Sequence, residues 1–465
     1  MSPLPQQPLS PLDGRYRGAV SGLGQHLSEA GLNRARVRVE VEWLVFLTDR
    51  ELFGSHRIDA ESARALRAFA ADFGQPELDA LAVLEATTRH DVKAVEYLVR
   101  GKLTELGLTD VAELTHFGCT SEDINNVSYA LVIGAAMRDE WLPQYRAVIA
   151  ALRDWSLSTR DDVMLSHTHG QPATPTTVGK EFAVYVHRLQ RIEQQTEGTE
   201  YLAKFSGATG TFAAHVAADA EQDWPALSRD FVTSLGLSWN PLTTQIESHD
   251  WQAELYARVS HANRILHNLC TDIWAYISMG YFRQIPQEGA TGSSTMPHKV
   301  NPIRFENAEA NLELSSALLD SLAQTLVTSR LQRDLTDSTT QRNIGVALGH
   351  SLVALDNILR GLREIDLDRP ALAAALDANW EILGEAIQTV IRAEITAGRS
   401  SITDPYALLK ELTRGRRIGQ SELVAFIDEL DIGAPAKARL RALTPASYSG
   451  LASQLVDFVD APTGN

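Results

Sequence analysis

Apolar residues recur along most of the chain at intervals of three and four positions, which is the spacing of one face of an α-helix. Residues 251–279 follow this rule without a glycine or a proline, and residues 306–330 carry leucines seven positions apart. Another segment places its apolar side chains at Val178, Phe182, Tyr185, Leu189 and Ile192. Seven-residue stripes make helices pack at shallow angles, as in bundles. The pattern therefore predicts long bundled helices, with separately packed amphipathic helices as the alternative.

Strand patterns are scarce, and no strand–helix unit recurs along the chain. The predicted fold class is therefore all-α, with three helical domains and a central bundle of long helices. The turn-rich sequences GKLTELGLTD and REIDLDRP mark the two domain boundaries. They divide the chain into an N-terminal helical domain (1–111), a central long-helix domain (112–362) and a smaller helical C-terminal domain (363–465).

Composition and charge narrow the class of protein. The 465 residues are 44% apolar and 22% charged, which is ordinary for a soluble globular protein. A net charge of −17 argues against a general nucleic-acid or membrane-surface binder, because either would need an excess of basic residues. A small anionic ligand stays possible, since local clusters of basic side chains can bind it.

Cysteine usage and the start of the chain indicate where the protein works. Cys119 and Cys270 form no CxxC pair and offer no metal-binding spacing, so we expect buried thiols in a reducing compartment and no metal site. The first residues lack the basic and apolar regions of a secretory signal. No apolar run has the length of a membrane helix, so we expect a cytoplasmic protein.

Polar sequences interrupt the predicted helices at five places, and loops between rigid elements often carry binding and catalytic residues. They are HFGCTSEDINN (116–126), SHTHGQPATPTT (166–177), TTQIESHD (243–250), GSSTMPHKVNP (292–302) and SRLQRDLTDSTTQRN (329–343). In the first, Thr120 or Ser121 is suited to capping a helix. Free N–H groups at a helix start can also bind a carboxylate or phosphate, so this segment is either a ligand site or an ordinary helix start.

Histidines and arginines make three of these interruptions candidates for chemistry. His169 lies beside glycine and prolines that restrict the backbone, and histidine can donate or accept a proton near neutral pH. A plain surface histidine is the alternative. Gln245 and His249 precede the longest predicted helix. Arg333 and Arg342 lie among hydroxyl side chains, which indicates either an anion site or a solvated helix end.

The sequence GSSTMPHKVNP combines more special residues than a solvated connector usually does. Gly292 and its hydroxyl neighbours expose backbone N–H groups in a segment that could close over a ligand. Lys299 and Asn301 follow, beside prolines that limit their freedom. We therefore expect residues 290–302 to belong to a functional site.

These sequences resemble a known family of enzymes. GSSTMPHKVNP resembles the signature loop of the fumarase/aspartase superfamily, whose all-helical members eliminate fumarate from a substituted succinate. SPLDGRY, TTRHDVKAVEY, CTSEDINN, THGQPATP, TTQIE and QRDLTDST resemble, in order over residues 10–343, the adenylosuccinate lyase family of the bacterial long-chain type. KELTRGRR extends the likeness to residue 417. Membership implies a homotetramer whose core is a shared helical bundle, with active sites built from three subunits. We expect no cofactor and no metal.

The resemblance implies cleavage of adenylosuccinate to AMP and fumarate, and of the succinylcarboxamide ribotide SAICAR to AICAR and fumarate. Such a reaction needs a base for the succinyl proton, cations and N–H donors for the resulting dianion, and an acid for the departing nitrogen. By motif position, Ser293 is the implied base and His169 the implied acid. A serine base must act as an alkoxide, and nearby Lys299 is a plausible reason for a lowered pKa.

The resemblance also implies a set of substrate contacts. The implied contacts to the nucleotide and succinyl ends are Arg15, Tyr16, Arg89, His90, Asp91, Thr120 and Ser121. Those around the succinyl group and the base are Gln245, Lys299, Val300, Asn301 and Asn307, and those to the phosphate are Arg333, Ser338, Thr339, Thr340, Gln341 and Arg342. The chain departs from the family pattern twice: His167 replaces an arginine, and Arg89 replaces an asparagine. His298 has no implied role.

Other functions stay open at the level of sequence. One is another fumarate-releasing lyase of the superfamily, acting on argininosuccinate, aspartate or malate. SPLDGRY and QRDLTDST weigh against it, because a phosphate-bearing substrate needs such additional groups. A second is a helical scaffold or an inactive relative that only binds nucleotide. A metal or redox enzyme is the weakest alternative, since the sequence has neither a ligand cluster nor a glycine-rich dinucleotide turn after a strand.

Overall fold

The computed structural model describes residues 7–286, 296, 299–413 and 418–460. Helices dominate these residues, so the predicted all-α fold class is confirmed. The first helices are α1 (Arg17–Val20), α2 (Gly24–Leu27), α3 (Glu29–Asp49), α4 (Ala60–Ala71), α5 (Gln75–Thr88), α6 (Asp91–Glu105), α7 (Ser121–Ala136) and α8 (Leu142–Ser158). The middle of the chain comprises β1 (Val163–Thr168), β2 (Gln171–Thr177), α9 (Val178–Glu197), β3 (Leu202–Ala203), α10 (Ala213–Ala218), α11 (Trp224–Ser234), β4 (Ser238–Trp239), α12 (Asp250–Ser278) and β5 (Phe282–Gln284).

The remaining elements are again mostly helical. They are α13 (Ile303–Leu326), α14 (Thr336–Gln341), α15 (Ile344–Arg363), β6 (Ile365–Leu367), α16 (Arg369–Asp377), α17 (Gly384–Thr396), α18 (Pro405–Thr413), α19 (Gln420–Glu429), α20 (Ala434–Ala442) and α21 (Ala452–Leu455). The strands pair only in twos: β1 and β5 with antiparallel partners β2 and β6, and β3 with parallel β4. The three long apolar segments of the sequence correspond to α9, α12 and α13.

The chain forms two compact units. The first consists of Met1–Arg146, Ile192–His267 and Ala308–Asp356, and the second of Ala147–Arg191, Asn268–Asn307 and Asn357–Asn465. The division into three domains at residues 111 and 362 stays a prediction.

Buried polar side chains join three long helices within the first unit. On α12, the Asn263 amide donates to the Ser315 hydroxyl of α13 at 3.0 Å, and Ser315 donates to the Ala347 carbonyl of α15 at 2.7 Å. The Ser351 hydroxyl donates to Asn263 at 2.9 Å and accepts from the Trp141 indole at 2.9 Å. Small hydroxyl side chains let the helices approach closely, and each of these four polar side chains keeps a hydrogen-bond partner. This polar ladder fixes the register of the three helices.

An aromatic cluster forms a second part of the core of the first unit. Trp43 of α3 lies 4.5 Å from Phe205 and 4.9 Å from Phe231, measured between ring centroids, and Phe46 stacks beside it. The Trp43 indole N–H also donates to the Phe117 carbonyl at 2.9 Å. Aromatic pairs at these distances add stability beyond the area they bury. The cluster therefore anchors the segment that leads into α7.

The second unit contains a β-hairpin where the sequence analysis expected a loop. Strands β1 and β2 pair up to Thr168 and Gln171, which leaves His169 and Gly170 as a two-residue turn. Their φ angles are +54° and +74°. Two left-handed positions in succession are what a type I′ turn requires, and this turn matches the twist of antiparallel strands. The exposed His169 is therefore held at the tip of a hydrogen-bonded hairpin.

A close backbone approach joins α8 to α9 in the second unit. The Gly179 N–H donates to the Thr159 carbonyl at 3.0 Å, and the Gly179 carbonyl accepts from the Ser156 hydroxyl at 2.8 Å. A Cβ atom at Gly179 would lie 2.3 Å from the Ser156 carbonyl oxygen and 2.6 Å from Arg160 Cα. Both neighbours are backbone atoms, so they cannot rotate away. The start of α9 therefore requires glycine.

We expect Gly179→Ala to lower the free energy of unfolding by at least about 2 kcal/mol, because the added methyl group forces the two helices apart. Gly101→Ala is the matched control: Gly101 lies inside α6 with no atom within 4 Å of an added Cβ, so alanine should be neutral or stabilising by up to about 1 kcal/mol. Thermal unfolding of both variants measures the contrast. Equal melting temperatures for the two variants would contradict it.

Candidate active site

The residues proposed from sequence divide between the two units. The first unit holds Arg15, Tyr16, Arg89, His90, Asp91, Thr120, Ser121, Gln245, Arg333, Ser338, Thr339, Thr340, Gln341 and Arg342. The second holds His169, Lys299, Val300, Asn301 and Asn307. Ser293 and His298, with most of residues 290–302, lie outside the described residues.

The start of α7 is fixed by a buried ion pair that the sequence analysis missed. Asp123 and Lys204 are both fully buried, with 2.9 Å between the carboxylate and the ammonium group. The Asp123 carboxylate also accepts the backbone N–H groups of Thr120 at 2.8 Å, Ser206 at 2.8 Å and Gly207 at 3.1 Å. Donors on several sides hold this buried carboxylate in one position. Thr120, the N-cap residue, is thereby held against the turn that begins at Ser206.

A chain of hydrogen bonds connects the α7 start to two candidate binding residues. The Arg333 guanidinium donates to the Glu122 carboxylate at 2.9 Å and to the Gln245 side-chain carbonyl at 3.3 Å. Glu122 accepts a second bond from the Asn125 amide at 2.7 Å, and Asn125 accepts from Arg36 at 2.9 Å. Burial raises the pKa of Glu122, although Arg333 and Asn125 act in the opposite direction. Residues from three separate sequence motifs therefore meet at the Arg333 guanidinium.

The same chain continues from Arg36 to the serine- and threonine-rich helix α14. Arg36 is almost completely buried and donates to the Asp91 carboxylate at 2.9 Å. Asp91 also accepts from Arg342 at 3.3 Å, and Arg342 donates to the Ser338 hydroxyl at 3.1 Å. Burial acts to raise the pKa of Asp91, but the charge of Arg36, the Val92 N–H and the charge of Arg342 together lower the pKa below its usual value. Asp91 is thus a carboxylate that aligns two arginines.

His90 and Arg89 form the short turn between α5 and α6. His90 is the N-cap of α6, where its Nδ1 accepts the Lys93 N–H at 3.2 Å. Its Nε2 lies 3.5 Å from the Ser121 hydroxyl, which brings two candidate residues together. Arg89 ends α5 with a φ of +53°. Asparagine adopts this left-handed conformation more readily than arginine, so the replacement at this position adds backbone strain.

Some candidate residues stand apart from the hydrogen-bonded chain. Gln341 is buried and donates to the Gln252 carbonyl at 3.3 Å, so its amide faces the core. Arg15 is exposed just before α1, and no hydrogen bond among the described residues links it to the chain. In the second unit, His169 makes no side-chain hydrogen bond to any described residue. Lys299 and Val300 are exposed shortly before α13, which carries the half-buried Asn307.

Comparison with known proteins identifies the family. One family model, described as lyase, matches residues 14–313, and a second, described as adenylosuccinate lyase C-terminal, matches residues 329–449. The adenylosuccinate lyase of Escherichia coli strain K12 is 47% identical over 451 residues, which cover 97% of this chain and 98% of that protein. The chain belongs to the adenylosuccinate lyase family. The enzyme of Vibrio cholerae is 47% identical over 452 residues, and that of Haemophilus influenzae is 45% identical over 451.

Solved structures agree on the fold of this lyase. The 3-carboxy-cis,cis-muconate lactonizing enzyme of Pseudomonas putida matches with a TM-score of 0.73 at 19% identity, covering 94% of this chain and 96% of that chain. A fumarate lyase of Mesorhizobium sp. BNC1 matches with the same TM-score at 18% identity, covering 94% and 97%. At these identities the likeness shows the fold alone. Across the described residues, no helix is long and apolar enough to cross a membrane, and no three side chains are grouped as metal ligands.

The candidates from sequence include the outer members of the hydrogen-bonded chain but not the buried charges between them. The candidates from sequence did not include Glu122, Asp123, Arg36 or Lys204. The start of α7 reads SEDINN, which places four charged or amide side chains within five positions of a helix that turns out to be buried. At 3.6 residues per turn these four side chains lie on one face, opposite Ile124, as on an ordinary solvated helix start, so the local pattern does not indicate that they are buried.

A second buried pair holds the segment before α7. The imidazole Nδ1 of His116 lies 2.6 Å from the carboxylate of Glu40, and the His116 backbone N–H donates to the same carboxylate at 3.1 Å. Burial alone would lower the pKa of His116, but the hydrogen bond and the charge of Glu40 raise it above 6.5. A raised pKa in the folded state means that protonated His116 stabilises the fold. That contribution is complete below the unfolded-state pKa and is lost as the pH rises through the folded-state pKa.

We expect the melting temperature of this lyase to decrease between about pH 6 and pH 9 more steeply than that of His116→Gln, by the equivalent of about 1 kcal/mol. Glutamine can still donate to Glu40 but cannot titrate. His56→Gln removes an exposed histidine that pairs with Asp110 and is the control. Parallel curves for wild type and His116→Gln would show that the pair does not titrate in this range.

Proposed function

We propose that this lyase cleaves adenylosuccinate to AMP and fumarate and cleaves SAICAR to AICAR and fumarate. The observation that carries the proposal is the hydrogen-bonded chain from Gln245 through Arg333, Glu122 and Arg36 to Arg342. It joins the motifs TTQIE, CTSEDINN, TTRHDVKAVEY and QRDLTDST into one arrangement. A lyase that acts on a succinyl group without a phosphate would have less use for the guanidinium and hydroxyl groups around α14. Full-length similarity to adenylosuccinate lyases supports the same function.

The proposed reaction is a β-elimination with one base and one acid. Ser293, as an alkoxide, removes the proton from the succinyl carbon next to a carboxylate, and the electron pair moves into that carboxylate as an aci-dianion. The pair then forms the carbon–carbon double bond of fumarate while the carbon–nitrogen bond breaks. His169 donates a proton to the departing nitrogen. Its place at the tip of the β1–β2 hairpin supports this role, because the backbone is fixed while the imidazole is exposed.

The proposed substrate contacts follow the chemistry of the side chains. Arg333, Arg342 and the hydroxyls of residues 338–340 bind the phosphate, since guanidinium forks and hydroxyls are suited to its oxygens. Lys299, Asn301, Asn307 and Gln245 surround the succinyl carboxylates and stabilise the aci-dianion. Val300 is a further proposed contact beside the succinyl group and the base, and Gln341 is one beside the phosphate. The proposed contacts to the nucleotide and succinyl ends are Arg15, Tyr16, Arg89, His90, Asp91, Thr120 and Ser121.

We further propose that the enzyme is a cytoplasmic homotetramer whose active sites combine residues of three subunits, and that it needs no cofactor. His169 and Lys299 are exposed in the single chain. A proton donor and a cation that act on a sequestered substrate must be shielded from water, so their exposure supports an active site that other subunits complete. A central bundle of long helices, in a domain spanning residues 112–362, is the proposed core of the tetramer.

The activity is tested by adding purified protein to adenylosuccinate, SAICAR and argininosuccinate in separate reactions and measuring fumarate. We expect fumarate from the first two substrates and none from the third. Fumarate from argininosuccinate alone would identify another lyase of the superfamily. A lack of fumarate from all three, with AMP still bound, would indicate a nucleotide-binding relative without activity.

We expect Ser293→Ala and His169→Ala each to lower kcat by at least about 100-fold, because each removes one of the two proton transfers. Ser294→Ala and His167→Ala are neighbouring controls of the same residue types and should cost far less. Size-exclusion chromatography with light scattering verifies that the assembly is intact. If either catalytic variant retains near-normal turnover, or if Ser294→Ala is the inactive serine variant, the assignment of that residue is wrong.

A further inference from the structure

A cluster of buried charges surrounds the proposed phosphate-binding residue Arg333. Its guanidinium lies 2.9 Å from Glu122 and 3.9 Å from Asp337, and both carboxylates are almost completely buried. His249 is also buried, with its Nε2 at 3.6 Å from the second Asp337 oxygen. Arg333 Nε, His249 Nε2 and Asp337 Oδ2 have no hydrogen-bond partner among the described residues. The cluster therefore contains two buried carboxylates, one guanidinium and one imidazole.

The hydrogen bonds of Gln252 orient the imidazole of His249. The Gln252 carbonyl oxygen accepts from the Tyr256 hydroxyl at 3.2 Å and from the Gln341 amide at 3.3 Å, which fixes the orientation of the Gln252 side chain. Its NH₂ group therefore faces His249 Nδ1 at 3.3 Å. The Nε2 edge of the imidazole is thereby turned toward Asp337.

Two buried carboxylates therefore share one guanidinium. Glu122 lies 2.9 Å and Asp337 3.9 Å from Arg333. The remaining neighbour of the Glu122 carboxylate is the uncharged Asn125 amide, beyond which lies Arg36. Like charges at short distance in a buried place favour the uptake of a proton by one of them. The raised pKa of Glu122, caused mainly by its burial, identifies it as the group that accepts this proton.

We propose that Glu122 takes up a proton from solvent when the phosphate of the substrate or of AMP binds to Arg333. In the free enzyme the Glu122 carboxylate neutralises Arg333. An incoming phosphate competes for the same guanidinium and brings further negative charge close to Asp337. Protonated Glu122 releases the charge of Arg333 to the phosphate, and its O–H can turn toward an acceptor. No bond other than the O–H bond forms or breaks. The inference rests on the proposed function, because it takes Arg333 as a phosphate ligand.

The sign of the effect follows from linkage. A ligand whose binding is accompanied by proton uptake binds more tightly as the pH falls. The affinity for AMP should therefore rise toward low pH by more than the titration of AMP itself produces. Glu122→Gln imitates the protonated side chain at every pH, and its amide oxygen can still accept from Arg333 and Asn125. This variant should keep the affinity that the wild type reaches only at low pH.

Isothermal titration calorimetry with AMP tests the proposal, because measurements in buffers of different ionisation enthalpy give the number of protons taken up. At pH 7.5 we expect the wild type to take up at least about 0.3 proton per AMP more than Glu122→Gln. At pH 8, Glu122→Gln should bind AMP about three- to tenfold more tightly than the wild type, and the two affinities should converge near pH 6. Proton uptake by AMP itself contributes equally to both proteins and cancels in the difference.

Glu113→Gln is the matched control, because it neutralises an exposed glutamate that also pairs with an arginine, Arg100. It should behave as the wild type. Asp337→Asn provides a second variant, since removing the other buried charge should also abolish the additional uptake. Equal proton uptake by wild type and Glu122→Gln, or weaker AMP binding by Glu122→Gln, would overturn the inference while fumarate release still supports the function. Absence of both AMP binding and fumarate release in the wild type would overturn the function as well.

Discussion

The arrangement of the first unit depends on the buried ion pair of Asp123 and Lys204. Removing two charges from water costs several kcal/mol per ion, and only near-complete pairing offsets that cost. Here the Asp123 carboxylate has three backbone donors besides Lys204, and the ammonium group also donates to the Gly207 carbonyl at 3.0 Å. Because every partner is needed, the helix start and the turn after Lys204 can adopt only one relative position. Gln245 then donates to the Ala208 carbonyl of that turn at 2.9 Å, so the constraint reaches the proposed succinyl site.

Helices were predictable because the apolar period of three and four is a local property of the sequence. The segment 251–279 becomes α12 (Asp250–Ser278) almost residue for residue, since neither glycine nor proline interrupts it. The β1–β2 hairpin was not predictable in the same way. Its turn residues, His169 and Gly170, are not the asparagine–glycine pair that usually signals a type I′ turn. β2 also contains prolines, which argue against a strand unless the strand lies at the edge of a sheet. In a two-stranded ladder both strands are edge strands, so the prolines are tolerated.

For the candidate site, the sequence motifs predicted residues that are proposed to contact the substrate. They did not reveal the buried residues that hold those side chains in position. Arg342 and Asp91 belong to recognisable motifs, but Arg36 lies in an ordinary stretch of α3 and acquires its role only by meeting Asn125 and Asp91 in space. Such a pairing depends on how α3, α6 and α7 pack. Lys204 is the extreme case, because a single lysine between apolar residues has no local pattern that distinguishes it from a solvated side chain.

The hairpin that carries His169 restricts how this segment of the gene can vary. Successive side chains of a strand point to opposite faces, so one inserted or deleted codon in β1 or β2 would turn the whole ladder over. Both turn positions have positive φ, so Gly170 has few substitutes. Related enzymes can therefore exchange residues along these strands, as His167 illustrates, while the number of residues between Val163 and Thr177 should stay constant. In an alignment, this segment would be recognised by its constant length and by the histidine and glycine of the turn. The other positions of the two strands would vary.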